Sequence, residues 1–90
     1  MKVSELVMKE VDLMPPVLEE GILYVSKKYK TAIHLCACGC GIKTVTPLNC
    51  LTGWTLTESA EGATLQPSIG NMQFPCGSHY WITNGKIEWC

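Results

Sequence analysis

The most informative part of the chain lies before its middle and reads His34-Leu35-Cys36-Ala37-Cys38-Gly39-Cys40-Gly41. A second stretch of similar composition follows further along the chain, Cys76-Gly77-Ser78-His79. Together they hold four of the six cysteines and both histidines of the 90-residue chain. Proteins hold zinc in tetrahedral sites with such thiolates and imidazoles. The sequence therefore predicts one bound Zn²⁺ ion, held between two segments that are distant along the chain.

Five side chains are candidate ligands for this ion: Cys36, Cys38, Cys40, Cys76 and His79. Cys76 and His79 form a C-x-x-H half-site. Residues 36, 38 and 40 project to the same side of an extended chain, so spacing alone does not choose among them. Three thiolates and one imidazole would close a structural site, whereas a catalytic zinc would use three protein ligands and leave the fourth position to water. The residues alone do not decide between a structural and a catalytic zinc site.

Six cysteines in so short a chain are also compatible with a disulfide framework. The first ten residues, however, carry charges where the apolar region of a secretory signal would lie. Neighbouring cysteines in C-x-C-x-C also pair poorly with each other, since disulfides require a strict geometry. We therefore expect zinc-bound thiolates in a reducing, cytoplasmic setting.

Charge and hydropathy exclude two classes of partner. The net charge is −1, and the seven basic residues are all lysines. The one local basic cluster, Lys27-Lys28-Tyr29-Lys30, is typical of a solvated turn, so no nucleic acid is expected as a partner. No apolar run approaches the ~20 residues of a membrane span, so no membrane is expected either. A near-neutral surface favours a protein or peptide partner.

Short runs of β-branched and aromatic residues alternate with turns, which predicts strands over 22–26, 31–35, 42–46, 54–57, 63–66, 79–83 and 86–89. Asn84-Gly85 is typical of a two-residue hairpin turn, because both residues accept positive φ. Pro15-Pro16 ends whatever precedes it, and 17–21 is long enough for one helical turn. The sequence predicts a single domain over 1–90: a small all-β, antiparallel, sheet or barrel-like fold stapled by one zinc site.

Several motifs occur in an order that resembles one known family: the cluster at 34–41, Pro67-Ser68-Ile69-Gly70-Asn71, and Cys76-Gly77-Ser78-His79-Tyr80-Trp81-Ile82. From about residue 11 to the C-terminus the chain is similar to small bacterial and phage-borne zinc-cysteine domains, long of unknown function, that occur beside bacterial ubiquitin-like conjugation genes. The resemblance implies a peptidase that processes or deconjugates a ubiquitin-like protein. It also implies that the partner is the ubiquitin-like protein or the C-terminal tail of that protein.

One mechanism for such a peptidase uses the zinc ion directly. It needs an open coordination position, so one of the cysteines would not bind or His34 would replace a thiolate. It also needs a carboxylate that serves as general base for the bound water. Glu19 is the candidate, since it lies at a turn and within a family-like Leu-Glu-x-Gly stretch.

A second mechanism leaves zinc structural and uses Ser68 as nucleophile. A serine hydroxyl needs a neighbouring base, for which His34 is the candidate, and Glu19 could orient that base. Ser68 lies in a proline-containing turn, where functional groups are common. Against both enzyme hypotheses stands a non-catalytic alternative, a zinc-stapled protein-binding or adaptor module.

Overall fold

Eight strands and their connecting turns make up the part of the chain that the computed structural model describes, which is residues 3–48, 53–71 and 75–90. The strands are β1 (Val7–Glu10), β2 (Ile22–Ser26), β3 (Thr31–Leu35), β4 (Lys43–Pro47), β5 (Thr55–Ser59), β6 (Gly62–Gly70), β7 (His79–Thr83) and β8 (Lys86–Trp89). The all-β prediction is confirmed. Over these same ranges there is no helix long and apolar enough to cross a membrane.

The strands form two four-stranded sheets, with the orders β1-β2-β3-β4 and β5-β6-β7-β8. Neighbouring strands are antiparallel except for β1 and β2, which pair in parallel. The segment between this parallel pair forms bends and a turn, so the helical turn expected over 17–21 does not form. The backbone N–H of Glu19 donates instead to the hydroxyl of Tyr24, at 3.0 Å.

Side chains from both sheets meet in one hydrophobic core. Alternate residues of the inner strands are buried there, among them Leu23, Val25, Leu65, Ile69, Tyr80 and Ile82. This alternation follows from the period of two in a strand, and it sends the intervening residues to the outer faces. Cys36 and Ala37 belong to the same buried cluster, so the cysteine-rich loop is packed onto the core.

The predicted Asn84-Gly85 hairpin is confirmed. Thr83 pairs with Lys86, and the two turn residues have φ of 50° and 79°. The N-terminal segment crosses this turn, because the N–H of Leu6 donates to the carbonyl of Gly85 at 2.6 Å. A Cβ at Gly85 would lie 3.0 Å from the backbone oxygen of Leu6, so the turn requires glycine for space as well as for φ.

Candidate active site and metal site

Ser68 and His79 lie on the outer face of the second sheet. In the antiparallel pairing of β6 with β7, Ile69 lies opposite Tyr80 and Gly70 opposite His79. Ile69 and Tyr80 are buried in the core. Since successive side chains of a strand point to opposite faces, Ser68 and His79 both project outward.

A short hydrogen bond joins these two side chains. The Oγ of Ser68 lies 2.8 Å from the Nε2 of His79. His79 is exposed and Ser68 is half-buried, so a substrate can reach both. With the imidazole proton on Nδ1, the Ser68 hydroxyl donates to Nε2, which is the arrangement in which a histidine can take the proton of a serine.

Ser68 belongs to an irregular part of β6. Leu65 pairs with Ile82 and Ile69 with Tyr80, so four positions along β6 correspond to two along β7. Such irregularities re-aim side chains and are frequent beside active sites. Gly70, opposite His79, carries no side chain that could cover the hydrogen-bonded pair.

Four cysteines form a second cluster, and one of them, Cys76, lies three positions before His79. The sulfurs of Cys36, Cys38, Cys40 and Cys76 all lie within 4.8 Å of one another. The Sγ of Cys36 is 3.5 Å from that of Cys38 and 3.8 Å from that of Cys76. Tetrahedral zinc with bonds of about 2.3 Å to sulfur separates its ligands by about 3.8 Å. The four thiols therefore form a site that could hold a metal ion.

Hydrogen bonds to sulfur orient two of these thiols. The side-chain amide of Asn71 donates to the Sγ of Cys36 at 3.4 Å and to the Oγ1 of Thr44 at 3.2 Å. The hydroxyl of Ser78 donates to the Sγ of Cys76 at 3.3 Å. Donors of this kind around a metal site fix the direction of the ligands and stabilise the thiolate form.

Burial and the neighbouring sulfurs raise the pKa of Cys40, whereas hydrogen bonds lower the pKa of Cys38 and Cys76. Hydrogen bonding from Ser78 lowers the pKa of Cys38 to about 6 and also lowers the pKa of Cys76. Although a backbone hydrogen bond from Ile42 lowers it, the pKa of Cys40 is raised to about 12, because burial and the neighbouring sulfurs disfavour a further negative charge. A divalent cation would relieve this repulsion, which is the electrostatic condition for a metal site.

His34 is buried on the other side of the second sheet from Ser68. Its Nε2 lies 2.7 Å from the hydroxyl of Tyr80, which also accepts the N–H of Ala37 at 3.3 Å. Burial lowers the pKa of His34 to about 4, so its imidazole is neutral at pH 7. Its Nδ1 has no hydrogen-bond partner within the described ranges. Because Tyr80 points into the core, the histidine bound to it is separated from the outer face that carries Ser68.

Glu19 lies on an exposed turn before β2. Only its backbone N–H enters the hydrogen bonds of the described residues, where it donates to Tyr24. Its carboxylate is not part of the cluster that could hold a metal.

The structure thus brings the sequence candidates together in two groups and leaves His34 and Glu19 outside both. Cys36, Cys38, Cys40 and Cys76 come together, whereas His79, which was expected among the metal ligands, is bonded to Ser68. The expected partner of Ser68, His34, is bonded to Tyr80. Strand alternation could have predicted that His79, and not His34, is the partner of Ser68. If Tyr80 faces the core, its neighbour His79 must face outward.

Sequence reasoning also missed the two sulfur donors. Asn71 and Ser78 belong to the motifs at 67–71 and 76–79, and the N–H of Asn71 donates to the carbonyl of Ser78 at 2.7 Å. That backbone bond brings the end of β6 beside the loop that carries Cys76. No pattern in the sequence predicts this contact, because it joins residues across the end of a strand pair.

Comparison with known proteins adds a family. The model of the bacterial ubiquitination-like system serine protease (BubE) family matches residues 10–90. Searches of curated proteins and of solved structures gave no significant match. The family match confirms the resemblance inferred from the motifs. With a hydrogen-bonded serine and histidine on its outer face and a match over nearly its whole length, the chain belongs to the BubE family of bacterial ubiquitination-like system serine proteases.

Proposed function

We propose that this protein is a serine peptidase that cleaves a ubiquitin-like protein, with Ser68 as nucleophile and His79 as general base. The observation that supports it is the 2.8 Å separation of Ser68 Oγ and His79 Nε2 on an accessible face. Membership of a serine protease family of a ubiquitination-like system supports both the reaction and the class of substrate. The cytoplasmic location stays a prediction.

The chemistry follows from the two side chains. Nε2 of His79 takes the proton of Ser68 while Oγ attacks the carbonyl carbon of the scissile bond. The imidazolium then gives its proton to the leaving amine, and an acyl-serine ester remains. Water, deprotonated by the same nitrogen, hydrolyses the ester and restores the serine.

No carboxylate completes this pair among the described residues, where both ion pairs involve Lys27. The position of His79 therefore depends on β7 and on the loop that leads into it. Cys76 and Ser78 belong to that loop, and Ser78 contacts the sulfur of Cys76 at 3.3 Å. The cysteine cluster holds the loop before the proposed base.

We propose zinc as the ion of this cluster and a structural role for it. Zinc held by the four thiolates would cross-link the two loops and would leave no coordination position for a water molecule. This arrangement favours the serine mechanism over hydrolysis by a metal-bound water with Glu19 as base. Cys36, Cys38, Cys40 and Cys76 are the residues that would hold the ion.

Replacing Ser68 by Ala tests the nucleophile. We expect Ser68→Ala to slow cleavage of a ubiquitin-like fusion by at least about 1,000-fold, since the residue that forms the covalent intermediate is lost. Metal content and melting temperature are expected to stay unchanged. Cleavage is measured by the appearance of the released fusion partner on a gel.

Glu19→Gln is the matched control, because it preserves side-chain size and removes a carboxylate that cannot be replaced in the metal-dependent mechanism. We expect full activity from this variant. Full activity of Ser68→Ala, with loss of activity in Glu19→Gln, would contradict the serine mechanism. If the native protein binds ubiquitin-like fusions but cleaves none of them, the adaptor alternative is correct.

A further inference from the structure

A groove runs between the outer edge of β4 and the end of β6. Its volume is about 270 Å³. One wall is Lys43, Thr44 and Val45 of β4, and the other is formed by Trp54 and the segment 69–71. This volume lies just below the roughly 300–1,000 Å³ of pockets that hold drug-sized ligands. The groove therefore has room for a few small groups.

Among the described residues, the outer edge of β4 has backbone groups that lack a hydrogen-bond partner. β4 is the outermost strand of its sheet, and its residues pair alternately with β3. The bonds from Cys36 N to Ile42 O and from Leu48 N to Lys30 O fix the phase of this alternation. In that phase the N–H and C=O groups of Thr44 face β3, whereas those of Lys43 and Val45 face outward.

A contact at the end of the strand supports the same direction. The carbonyl of Pro47, which is in phase with Lys43 and Val45, accepts a hydrogen bond from Trp54 at 2.8 Å. Trp54 and Val45 both line the groove. The outward groups of β4 thus point toward the groove, and an extended chain lying in it could pair with them.

The groove reaches the proposed catalytic pair at Gly70. This residue lines the groove, lies opposite His79 in the strand pairing and is two positions from Ser68. A Cβ at Gly70 would meet nothing within 4 Å in the described part of the chain, so none of the described residues fills the space above it. Asn71 connects the two walls through its bond to Thr44 at 3.2 Å.

We propose that the groove binds the substrate as an extended peptide that adds to β4 as a further strand. The peptide pairs with the outward backbone groups of Lys43 and Val45 and places a small side chain over Gly70, beside Ser68 and His79. An extended segment is required because only a strand presents donors and acceptors at the spacing of the β4 edge. The proposal rests on the proposed peptidase function and assigns its substrate-binding site.

The edge is tested in the inactive Ser68→Ala protein, with Val45→Pro as the variant and Val45→Thr as its control. Proline removes the outward N–H without breaking the bonds to β3, and edge strands accept it. The probe is a fluorescein-labelled decapeptide with the C-terminal sequence of a ubiquitin-like protein from a bacterial conjugation operon. By fluorescence anisotropy we expect Val45→Pro to raise Kd at least tenfold and Val45→Thr to change it less than twofold.

Equal binding by both variants, or no binding of the peptide by the Ser68→Ala protein, overturns the proposal. If Val45→Pro does not fold, hydrogen exchange in the Ser68→Ala protein replaces it. Saturating peptide is then expected to slow exchange of the Val45 amide at least tenfold, and an unchanged rate overturns the proposal.

The space over Gly70 is tested in the active protein. We expect Gly70→Val to lower kcat/KM for the fusion at least tenfold, while Thr57→Val on β5 leaves it unchanged. Labelling of Ser68 by diisopropyl fluorophosphate, which forms a serine phosphoester and releases fluoride, is expected to proceed at the native rate in Thr57→Val, and a native melting temperature of Gly70→Val shows that its fold is intact. Normal kcat/KM in Gly70→Val overturns this placement of the substrate.

These experiments separate the groove from the peptidase function. Cleavage that is insensitive to Val45→Pro and Gly70→Val rejects the groove and leaves the function standing. Peptide binding that depends on Val45, without cleavage by the native protein, rejects the peptidase and leaves the groove as a binding site.

Discussion

At the scale of single residues, the two histidines differ in which face of the second sheet they approach. His79 lies on the outer face and bonds to Ser68 at 2.8 Å, whereas His34 is buried and bonds to Tyr80 at 2.7 Å. Burial lowers the pKa of His34 to about 4, so it serves as a neutral hydrogen-bonding group of the core. The chemistry proposed for one histidine is therefore closed to the other.

Tyr80→Phe tests the buried network around His34. The hydroxyl of Tyr80 bonds to His34 and accepts the N–H of Ala37. Its removal leaves buried polar groups unsatisfied, so we expect the free energy of unfolding to fall by about 2 kcal/mol. Urea denaturation measures this change. Tyr29→Phe, at an exposed position, is the control and is expected to be neutral; equal effects in both variants would contradict the network.

At the scale of elements, two loops organise the candidate site. The loop 36–42 leads from β3 into β4, and the loop that carries Cys76 leads into β7. Gly39 and Gly41 have φ of 88° and 81°, which lets the first loop wrap around the sulfurs. A metal held by both loops would fix the start of the groove edge on one side and the proposed base on the other.

Cys76→Ser tests the connection between the loops. Cys76 is the member of the cysteine cluster that lies outside the first loop. Its loss would therefore remove the connection that a bound metal makes between the loop before β7 and the loop before β4. We expect the variant to lose most of its zinc and to be less stable by at least about 2 kcal/mol. Elemental analysis and thermal melting are the measurements.

Cys90→Ser is the control for this substitution. Cys90 is exposed and lies outside the cluster. We therefore expect the zinc content and the melting temperature of the Cys90→Ser variant to match those of the native protein. The assignment of Cys76 as a ligand fails if both variants keep one zinc ion per chain.

At the scale of the whole molecule, size limits what the core can contribute. A chain of 90 residues buries only about two-thirds of the surface that it exposes when unfolded, which leaves a small margin of stability. A metal that binds only the folded chain adds its binding free energy to folding. Cys36 belongs both to the cysteine cluster and to the core that the two sheets share. The binding free energy of a metal would therefore stabilise both sheets.

Metal removal tests this coupling. We expect the purified protein to carry about one zinc ion per chain. A strong chelator is expected to lower the melting temperature and to reduce the β-sheet signal in circular dichroism, and addition of zinc is expected to restore both. A metal-free form that melts like the native protein would show that the ion does not support the fold.

Local sequence predicted most of the strands. The runs at 22–26, 31–35, 79–83 and 86–89 are strands at those positions, because β-branched and aromatic residues with turn residues between them favour a pleated chain whatever surrounds it. The parallel pairing of β1 with β2 was not predictable, since parallel strands are joined by a long connection that carries no turn signal of its own.

The all-β class, the hairpin at Asn84-Gly85 and the grouping of Cys36, Cys38 and Cys40 follow from the sequence, because each depends on residues that are close along the chain. That Cys76 completes the cysteine cluster depends on how the chain folds. Only the tertiary structure decided that His79 meets Ser68 and that His34 meets Tyr80. Those contacts depend on which face of β6 and β7 turns toward the core and on the irregular register between Leu65 and Ile69. A shift of one residue in that pairing would exchange the two faces, and the energy that prevents it comes from packing across both sheets.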